Sequence, residues 1–438
     1  MNLPAIWMCI VAIVVCIVLG YKFKINVGVP GLAFAFIIGC WYMKQSVSSV
    51  VGMFPIKIVV ILICSSLFYG FANHNGLMAQ LGTRIMYPFR KIPWMAPIAL
   101  FFTGVILGAL GCGVYANTIF MTTFGFALWH QSGRNFSPLL VTLAANISSI
   151  TGSGLPWASF GAARLGYIAN VYPEMEQAVS ISDRVGYLNF ILSIVIYFIC
   201  YFLLKGYKSG NFTMEEPKPM TKEQKRTLAV LAVAMVVLIV PGIVRQFTKS
   251  IALFNWLNSY CDIHVVGIIG SLILILLKVA DEKTVIAKSI PWNTILMAGG
   301  MACLAAVAQS AGISEWIGGM FGEGFPAWLA PPMMMFMAGF MSTFSSALSV
   351  VYPTLLPLIP GIVAATGASP VALGVCVVYG AALTGMSPFS TGGSMVLGNC
   401  PYDDVRDDLF TKMVVMTVII LIIAIIVSGT GFLNILGH

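Results

Sequence analysis

The stretch TGMSPFSTGGSM, Thr384 to Met395, sets the hydroxyls of Thr384, Ser387, Ser390, Thr391 and Ser394 among Gly385, Pro388, Gly392 and Gly393. It lies in an apolar run that begins near Val371 and is long enough to cross a bilayer. Proline and three glycines rule out an unbroken helix there. In hydrocarbon, freed backbone groups are tolerated only where they are buried in protein or line a polar cavity. Two half-helix ends facing each other offer N–H donors to an anion and free carbonyls to a cation. The competing reading is a proline kink whose hydroxyls bond back onto their own helix. A second copy argues against it. TGSGLPWASFG, Thr151 to Gly161, repeats the Thr-Gly and then places Gly161 five residues after Pro156, as Gly393 follows Pro388. Each run follows a Ser-Pro, Ser137-Pro138 or Ser369-Pro370.

The groups available at these breaks and at two nearby tips are neutral. Candidate anion ligands are Asn117, Thr118, Asn146, Thr151, Ser153, Ser345, Ser346, Thr384, Ser387, Ser390 and Thr391. Candidate oxygen ligands for a dehydrated Na⁺ come from Gly113, Asn117, Thr151, Gly152, Ser345, Ser346, Thr384 and Gly385. A cation held beside an anionic substrate offsets the desolvation of both. Several of these residues have a structural alternative. Asn117 and Thr118 can bond within their own hairpin, and Asn146 can bond across to a neighbouring helix. Arg164 is read as snorkelling to the outer interface in preference to clamping a substrate carboxylate. Gly104 and Gly108 are read as a close helix contact, and Met333 to Met335 as core or lipid-facing filler.

No Asp or Glu falls inside an expected span, so the carboxylates of proton relays and of many cation exchangers are missing. The same gap argues against an intramembrane aspartyl protease. No HExxH is present, and His74, His130, His264 and His438 fall at span ends or at the terminus, which leaves zinc chemistry and a Ser-His pair without support. The ten cysteines form no CxxC and lie mostly in apolar spans, which reads them as reduced, buried small hydrophobes. No metal beyond a coupling cation and no organic cofactor is expected.

Of the 438 residues, 59% are hydrophobic and 9% are charged, against roughly 25% charged in a soluble domain, and mean hydropathy is +0.95. The chain is therefore a polytopic membrane protein with no large aqueous domain. Its net charge of +8 belongs to cytoplasmic loops and not to nucleic-acid binding. The N-terminus lacks a basic region before its apolar run, so it reads as a retained first span and not as a signal peptide.

These residues must be positioned by helices. Spans are expected at about 4–20, 27–43 and 55–73, then a re-entrant helical hairpin at about 94–129, a broken helix at 138–163 and a span at 185–204. After a polar linker, 205–226, the order recurs: 227–245, 262–279, 291–310, a hairpin at 328–365 with tip Ser342 to Ser349, a broken helix at 370–398, and a last helix from about Met413. Trp94 to Pro97 (WMAP) recurs as Trp328 to Pro331 (WLAP), and Ser132-Gly133 as Thr366-Gly367, both 234 residues on. Asn75-Gly76-Leu77 matches Ala311-Gly312-Ile313. The expected fold is all-α, two repeats (1–204 and 227–438) of about five transmembrane helices each. The odd number of crossings inverts the second repeat relative to the first. With the linker in the cytoplasm, Lys22, Lys24, Arg84, Arg90, Lys91, Arg134, Lys278, Lys283 and Lys288 all fall inside. The 311–327 loop, with Glu315 and Glu323, falls outside together with both termini.

This order of elements resembles the ion transporter superfamily that includes the divalent anion and sodium symporters, and most closely the MatC-type malonate and dicarboxylate carriers. The resemblance covers nearly the whole chain. Its motifs are INVGVPGLAFAFIIG (Ile25 to Gly39), ANHNGL (Ala72 to Leu77), and IPWMAP leading into GALGCG (Ile92 to Gly113). The second half adds IPWNTILMAGGMACL (Ile290 to Leu304) and SPFSTGG (Ser387 to Gly393). The resemblance implies a homodimer in the inner membrane, with a static part and a moving part that carries both hairpins and both broken helices. It also implies a Ser-Asn-Thr motif at each tip for Na⁺ and carboxylate, and here the chain departs: its tips read GALGCGVYANT and STFSSALS. The expected activity is elevator-type secondary transport of a small organic anion, a dicarboxylate such as malonate, with Na⁺ as coupling ion and H⁺ as the alternative. The rivals are a cation/proton antiporter of the same superfamily, a membrane-embedded enzyme and a channel.

Overall fold

Ser-Pro starts the two most deeply buried helices. Ser137 and Ser369 sit in extended backbone and accept from the N–H of Leu139 (3.3 Å) and Ala372 (3.4 Å), while Pro138 and Pro370 occupy the first helical position, where no N–H is needed. The helices that follow, Pro138–Ser153 and Pro370–Thr384, are the central pillars, and every residue of the first is buried. The computed structural model describes residues 2–23, 25–247, 251–261, 263–290, 292–313, 316 and 326–433. Glu315, Glu323 and His438 lie outside them. All regular elements among the described residues are helical.

Among the described residues, five helical stretches are long and apolar enough to span a membrane: Leu3–Gly20, Met175–Leu203, Lys222–Pro241, Ala347–Thr366 and Asp403–Gly429. Shorter apolar helices fill the space between them. Each hairpin begins with Pro at N1 or N2 of a 14-residue arm, Ala96–Ala109 in one case and Ala330–Thr343 in the other, 234 positions apart. The first returns as one helix, Val114–Gln131. The second returns as π (Ala347–Val351), α (Tyr352–Leu355), 3₁₀ (Leu356–Leu358) and α (Ile359–Thr366) turns. Pro353, Pro357 and Pro360 explain the difference, since each removes an N–H from the ladder. The 19-residue helix Ile56–His74 has a counterpart of equal length, Trp292–Ser310. Left-handed backbone recurs at matching places, at Lys44 and Lys278, Gly76 and Gly312, Gly133 and Gly367, and Lys205 and Gly431.

Two packing groups result. In one, Gly28–Phe36 crosses Trp292–Ser310 and Ile56–His74 crosses Ile263–Leu276, so helices of the two halves interleave. The first crossing is backbone on backbone: a Cβ on Gly28 would come 1.9 Å from the Leu296 carbonyl oxygen, and one on Gly300 2.0 Å from that of Gly28. In the other group the arms of each hairpin flank the pillar of the same half. Gly104 and Gly108 do make a close helix contact. A Cβ on Gly104 would meet Ser148 Oγ at 2.0 Å, and Gly108 faces Gly152 and Ser153. The groups meet where Ile56–His74 lies on Ser159–Ala169 and where Trp292–Ser310 lies on the return of the second hairpin.

One expectation about charge changes. Met175–Leu203 is a continuous helix that begins ten residues before the expected span, so Asp183 stands on a membrane helix. The apolar stretch alone set the expected boundary, and the helix continues past it because neither proline nor glycine interrupts residues 175–185.

Candidate functional site

Both chain breaks are built alike. Helix Pro138–Ser153 stops and Ser159–Ala169 resumes; Pro370–Thr384 stops and Thr391–Gly398 resumes. The glycine five residues after each proline is required because the backbone folds back on itself. A Cβ on Gly161 would come 1.9 Å from the Leu155 oxygen, and one on Gly393 1.9 Å from that of Ser387. In the second break Ser390 Oγ donates to the Gly385 carbonyl (2.6 Å) and accepts from Gly393 N–H (3.1 Å), so it satisfies both half-helix ends. In the first, Trp157 Nε1 donates to the Ala109 carbonyl (3.0 Å), which ties the break to the hairpin.

Asn146 connects the two. Its Nδ2 donates to the Gly385 carbonyl across 3.0 Å, and its side chain occupies the space that a Cβ on Gly392 would need, 2.1 Å away. The interhelical bond is therefore real, and it leaves Asn146 Oδ1 buried with no partner among the described residues. Beside it is a cavity of about 30 Å³, room for one water or a bare ion. Polar residues of four elements converge on it: the first hairpin through Thr118, the first pillar through Asn146, the second tip through Ser345 and Ser346, and the second break through Gly385, Ser390 and Thr391. Val114, Tyr115 and Phe160 form its wall toward a larger cavity of about 470 Å³. That antechamber is bounded by Gly113 and Ser159 on one side and by Tyr69, Asn73, Lys288 and Asn293 on the other. A cleft of about 630 Å³ enters from the opposite end, past Phe54, Gln309 and Pro357. It shares no lining residue with the small cavity; Tyr167, on its wall, donates to the Leu348 carbonyl on the antechamber side (3.3 Å).

The expected ligands thus separate. Thr118, Asn146, Ser345, Ser346, Gly385, Ser390 and Thr391 line the small cavity and Gly113 the antechamber. Asn117, Thr151, Gly152, Ser153, Thr384 and Ser387 line neither. Asn117 Nδ2 donates to the Gly104 carbonyl within its hairpin (2.8 Å), and Thr384 Oγ1 bonds back to Gly380 (2.9 Å). Gly152 is a contact glycine whose Cβ would strike the Val105 oxygen at 2.1 Å. Thr151 and Ser153 flank it with buried hydroxyls that have no partner among the described residues. Ser387 Oγ accepts from Phe389 N–H (3.3 Å).

Arg164 does not snorkel. It is wholly buried, donating from Nη1 to the Gly154 carbonyl freed by the first break (2.8 Å) and from Nε to Ser182 Oγ (3.2 Å). Gly186 makes room for it, since a Cβ there would come 2.5 Å from Nη2. Asp183 provides a counter-charge in the same region. The cation is internal because it satisfies a carbonyl that the break strands in an apolar interior.

Among the described residues no cluster of His, Cys, Asp and Glu suited to a metal ion occurs. Residues 184–437 match the family model for the sodium:sulfate symporter transmembrane region. The chain belongs to that family. Residues 3–153 match the model for the N-terminus of the dicarboxylate carrier protein MatC, so this symporter-family member is of the MatC type. It is an integral multi-pass membrane protein and a secondary transporter, not an enzyme. No curated protein sequence matches it. Among solved structures it is similar to the Alcanivorax borkumensis YdaH transporter, described as having an unusual topology. Identity is 15% and TM-score 0.60, over 98% of this chain and 97% of that one. It is also similar to Neisseria gonorrhoeae MtrF, described among antimetabolite efflux pumps, at 15% identity and TM-score 0.55, over 89% of this chain and 83% of that one. At such identity the likeness is one of fold.

Proposed function

We propose that this symporter-family member moves a small dicarboxylate, of the size of malonate or a C4 diacid, across the inner membrane with Na⁺, by an elevator motion of inverted repeats within a homodimer. The observation that carries the reading is the uncharged small cavity, on which Thr118, Asn146, Ser345, Ser346, Ser390 and Thr391 border among apolar neighbours, beside a larger one that is bounded by helix starts and a lysine. A bare cation suits the first and an anion the second, and neither needs a protein carboxylate at the contact. The seam between the two packing groups, with a cavity at each end, suits a part that slides past a fixed frame. Inversion rests on the odd number of crossings per half and on the charge asymmetry of the loops. A proton-coupled reading has one observation in its favour, the half-buried Asp183 near Arg164.

The deciding experiment is uptake of labelled malonate or succinate into proteoliposomes. A Na⁺ gradient at constant pH is expected to drive it. Undiminished uptake in Na⁺-free buffer, accelerated by an inward proton gradient alone, would show that the ion is H⁺.

A further inference from the structure

The linker between the halves passes from one packing group to the other. It leaves Met175–Leu203, which packs on both pillars, and enters Lys222–Phe247, which packs on the frame, the group in which Ile56–His74 crosses Ile263–Leu276. Apart from the 3₁₀ turn Gly206–Lys208, residues 204–221 contain no helix, so bonds to other elements fix its course. Its first part docks on the end of the first hairpin. Gly210 N–H donates to the Ser132 carbonyl (3.2 Å), and Thr213 donates to Gln131 Oε1 from its N–H (3.1 Å) and its hydroxyl (3.2 Å). The contact is close, since a Cβ on Gly210 would come 2.5 Å from the Ser132 oxygen, and Phe212 between the two bonded residues is buried.

Its second part docks on the frame side. The Lys218 carbonyl accepts from Arg84 Nη2 (2.7 Å) and from Gln80 Nε2, both on helix Leu77–Met86. Thr221 and Gln224 form a capping box, the N–H of each donating to the side chain of the other (3.1 and 3.2 Å). Gln224 Nε2 also donates to the Asn75 carbonyl (3.0 Å), and Asn75 Nδ2 to Thr227 Oγ1 (2.8 Å). Leu77–Met86 packs on the first hairpin arm as well, but its chain path to that arm runs through the proline-bearing 3₁₀ turns Tyr87–Lys91 and Pro93–Met95, while its start is tied to the frame through Asn75. Between the two docking sites lie Met214 to Pro217. The run from Thr213 to Lys218 reaches about 17 Å at full extension, and with the hairpin-side bonds broken the run from Lys208 reaches about 35 Å.

We infer that the linker is a strap on the described state: docked, it limits how far the hairpin group travels along the frame, and its bonds to Gln131 and Ser132 break for each full excursion. This inference rests on the proposed elevator motion and adds the element that sets its limit. The hairpin side yields because its bonds are between neutral groups and two of them share one amide oxygen. The frame side holds because it has a charged donor, Arg84, and a closed capping box. Release frees the linker to pay out about twice its docked reach without any covalent change.

The test uses the full chain in two formats. In proteoliposomes, the double variant Gln131→Cys with Thr213→Cys, bridged by a short bis-methanethiosulfonate reagent, is expected to lose most of its malonate uptake and to regain it on reduction. The frame-side pair Gln80→Cys with Lys218→Cys, bridged in the same way, is expected to keep its uptake, and each single variant treated with the reagent controls for the native cysteines. Full uptake with the hairpin side bridged would overturn the strap, as would loss of uptake with only the frame side bridged. The second format needs no transport. Spin labels at Ala127 and Glu216, both exposed, report the distance from hairpin to strap by double electron–electron resonance. Two populations are expected, the longer one rising about two- to tenfold in Gly210→Ala, whose Cβ strikes the Ser132 oxygen. A single distance, the same in both proteins, would overturn the strap. If the wild type transports neither malonate nor succinate, the proposed function fails, and the strap is decided by the spin-label distances alone.

Discussion

Replacing Gly392 by alanine substitutes none of the proposed ligands, yet the structure requires it to disable the small cavity. The added Cβ would lie 2.1 Å from Asn146 Nδ2 and 2.8 Å from the Gly385 oxygen. The second atom is backbone, fixed by the Ser390 bond, so the Asn146 amide must give way. Its bond to Gly385 is then lost, and its free Oδ1 leaves the cavity wall. A hydrogen bond to a charged group contributes about 1.5–3 kcal/mol, so the Na⁺ concentration for half-maximal uptake should rise about ten- to hundredfold. The stability loss should be smaller, about 0.5–1.5 kcal/mol, because Gly385 keeps Ser390 as donor. Asn146→Ala should give the same rise in required Na⁺, and the double variant should add little to either single one, since all three remove one interaction. The assay is Na⁺ titration of labelled malonate uptake, with Tm measured in parallel. Wild-type Na⁺ dependence in Gly392→Ala would refute the role given to Asn146, and full additivity in the double variant would refute the shared cause.

Thr151→Val should change substrate affinity less than about twofold and should not lower Tm, because it removes an unpartnered buried hydroxyl that lines neither cavity; Ser390→Ala, which uncaps Gly393, should cost about 1 kcal/mol and also weaken Na⁺ binding. Arg164→Met strands the Gly154 carbonyl and should cost about 3–5 kcal/mol, read as loss of monodisperse protein, and Arg164→Lys should not rescue it because the fork to Gly154 and Ser182 is lost. A cysteine at exposed Glu216 should react with an impermeant thiol reagent only from the cytoplasmic side; labelling from outside would reverse the topology. The neighbouring Ser209 is unsuited to that assay because it is 7% exposed.

The architecture was legible where the sequence carries local backbone rules. Ser-Pro marked both pillar starts, Pro97 and Pro331 both hairpin arms, and the proline-to-glycine spacing both breaks, since each is a constraint among neighbouring residues. Side-chain direction on the first pillar was not legible. All sixteen residues of Pro138–Ser153 are buried, so no amphipathic face distinguishes Asn146, which lines the small cavity, from Thr151, which lines neither cavity. Arg164 was misread for a related reason. Its place is made by the absence of a side chain at Gly186 and by a stranded carbonyl at Gly154, neither of which is a pattern in the chain around residue 164. The antechamber joins Tyr69 and Asn73 to Lys288 and Asn293, residues more than two hundred positions apart, and no local spacing announces it.

The crossing of Gly28–Phe36 with Trp292–Ser310, and of Ile56–His74 with Ile263–Leu276, bears on how the molecule is made. As the ribosome delivers the chain, the early helices enter the bilayer with their glycine faces unmatched, and their partners are not synthesised until more than two hundred residues later. During that interval Gly28 and Gly31 face lipid or a chaperone and not Gly300. A gene cut at the linker should therefore yield two unstable fragments and not two working halves.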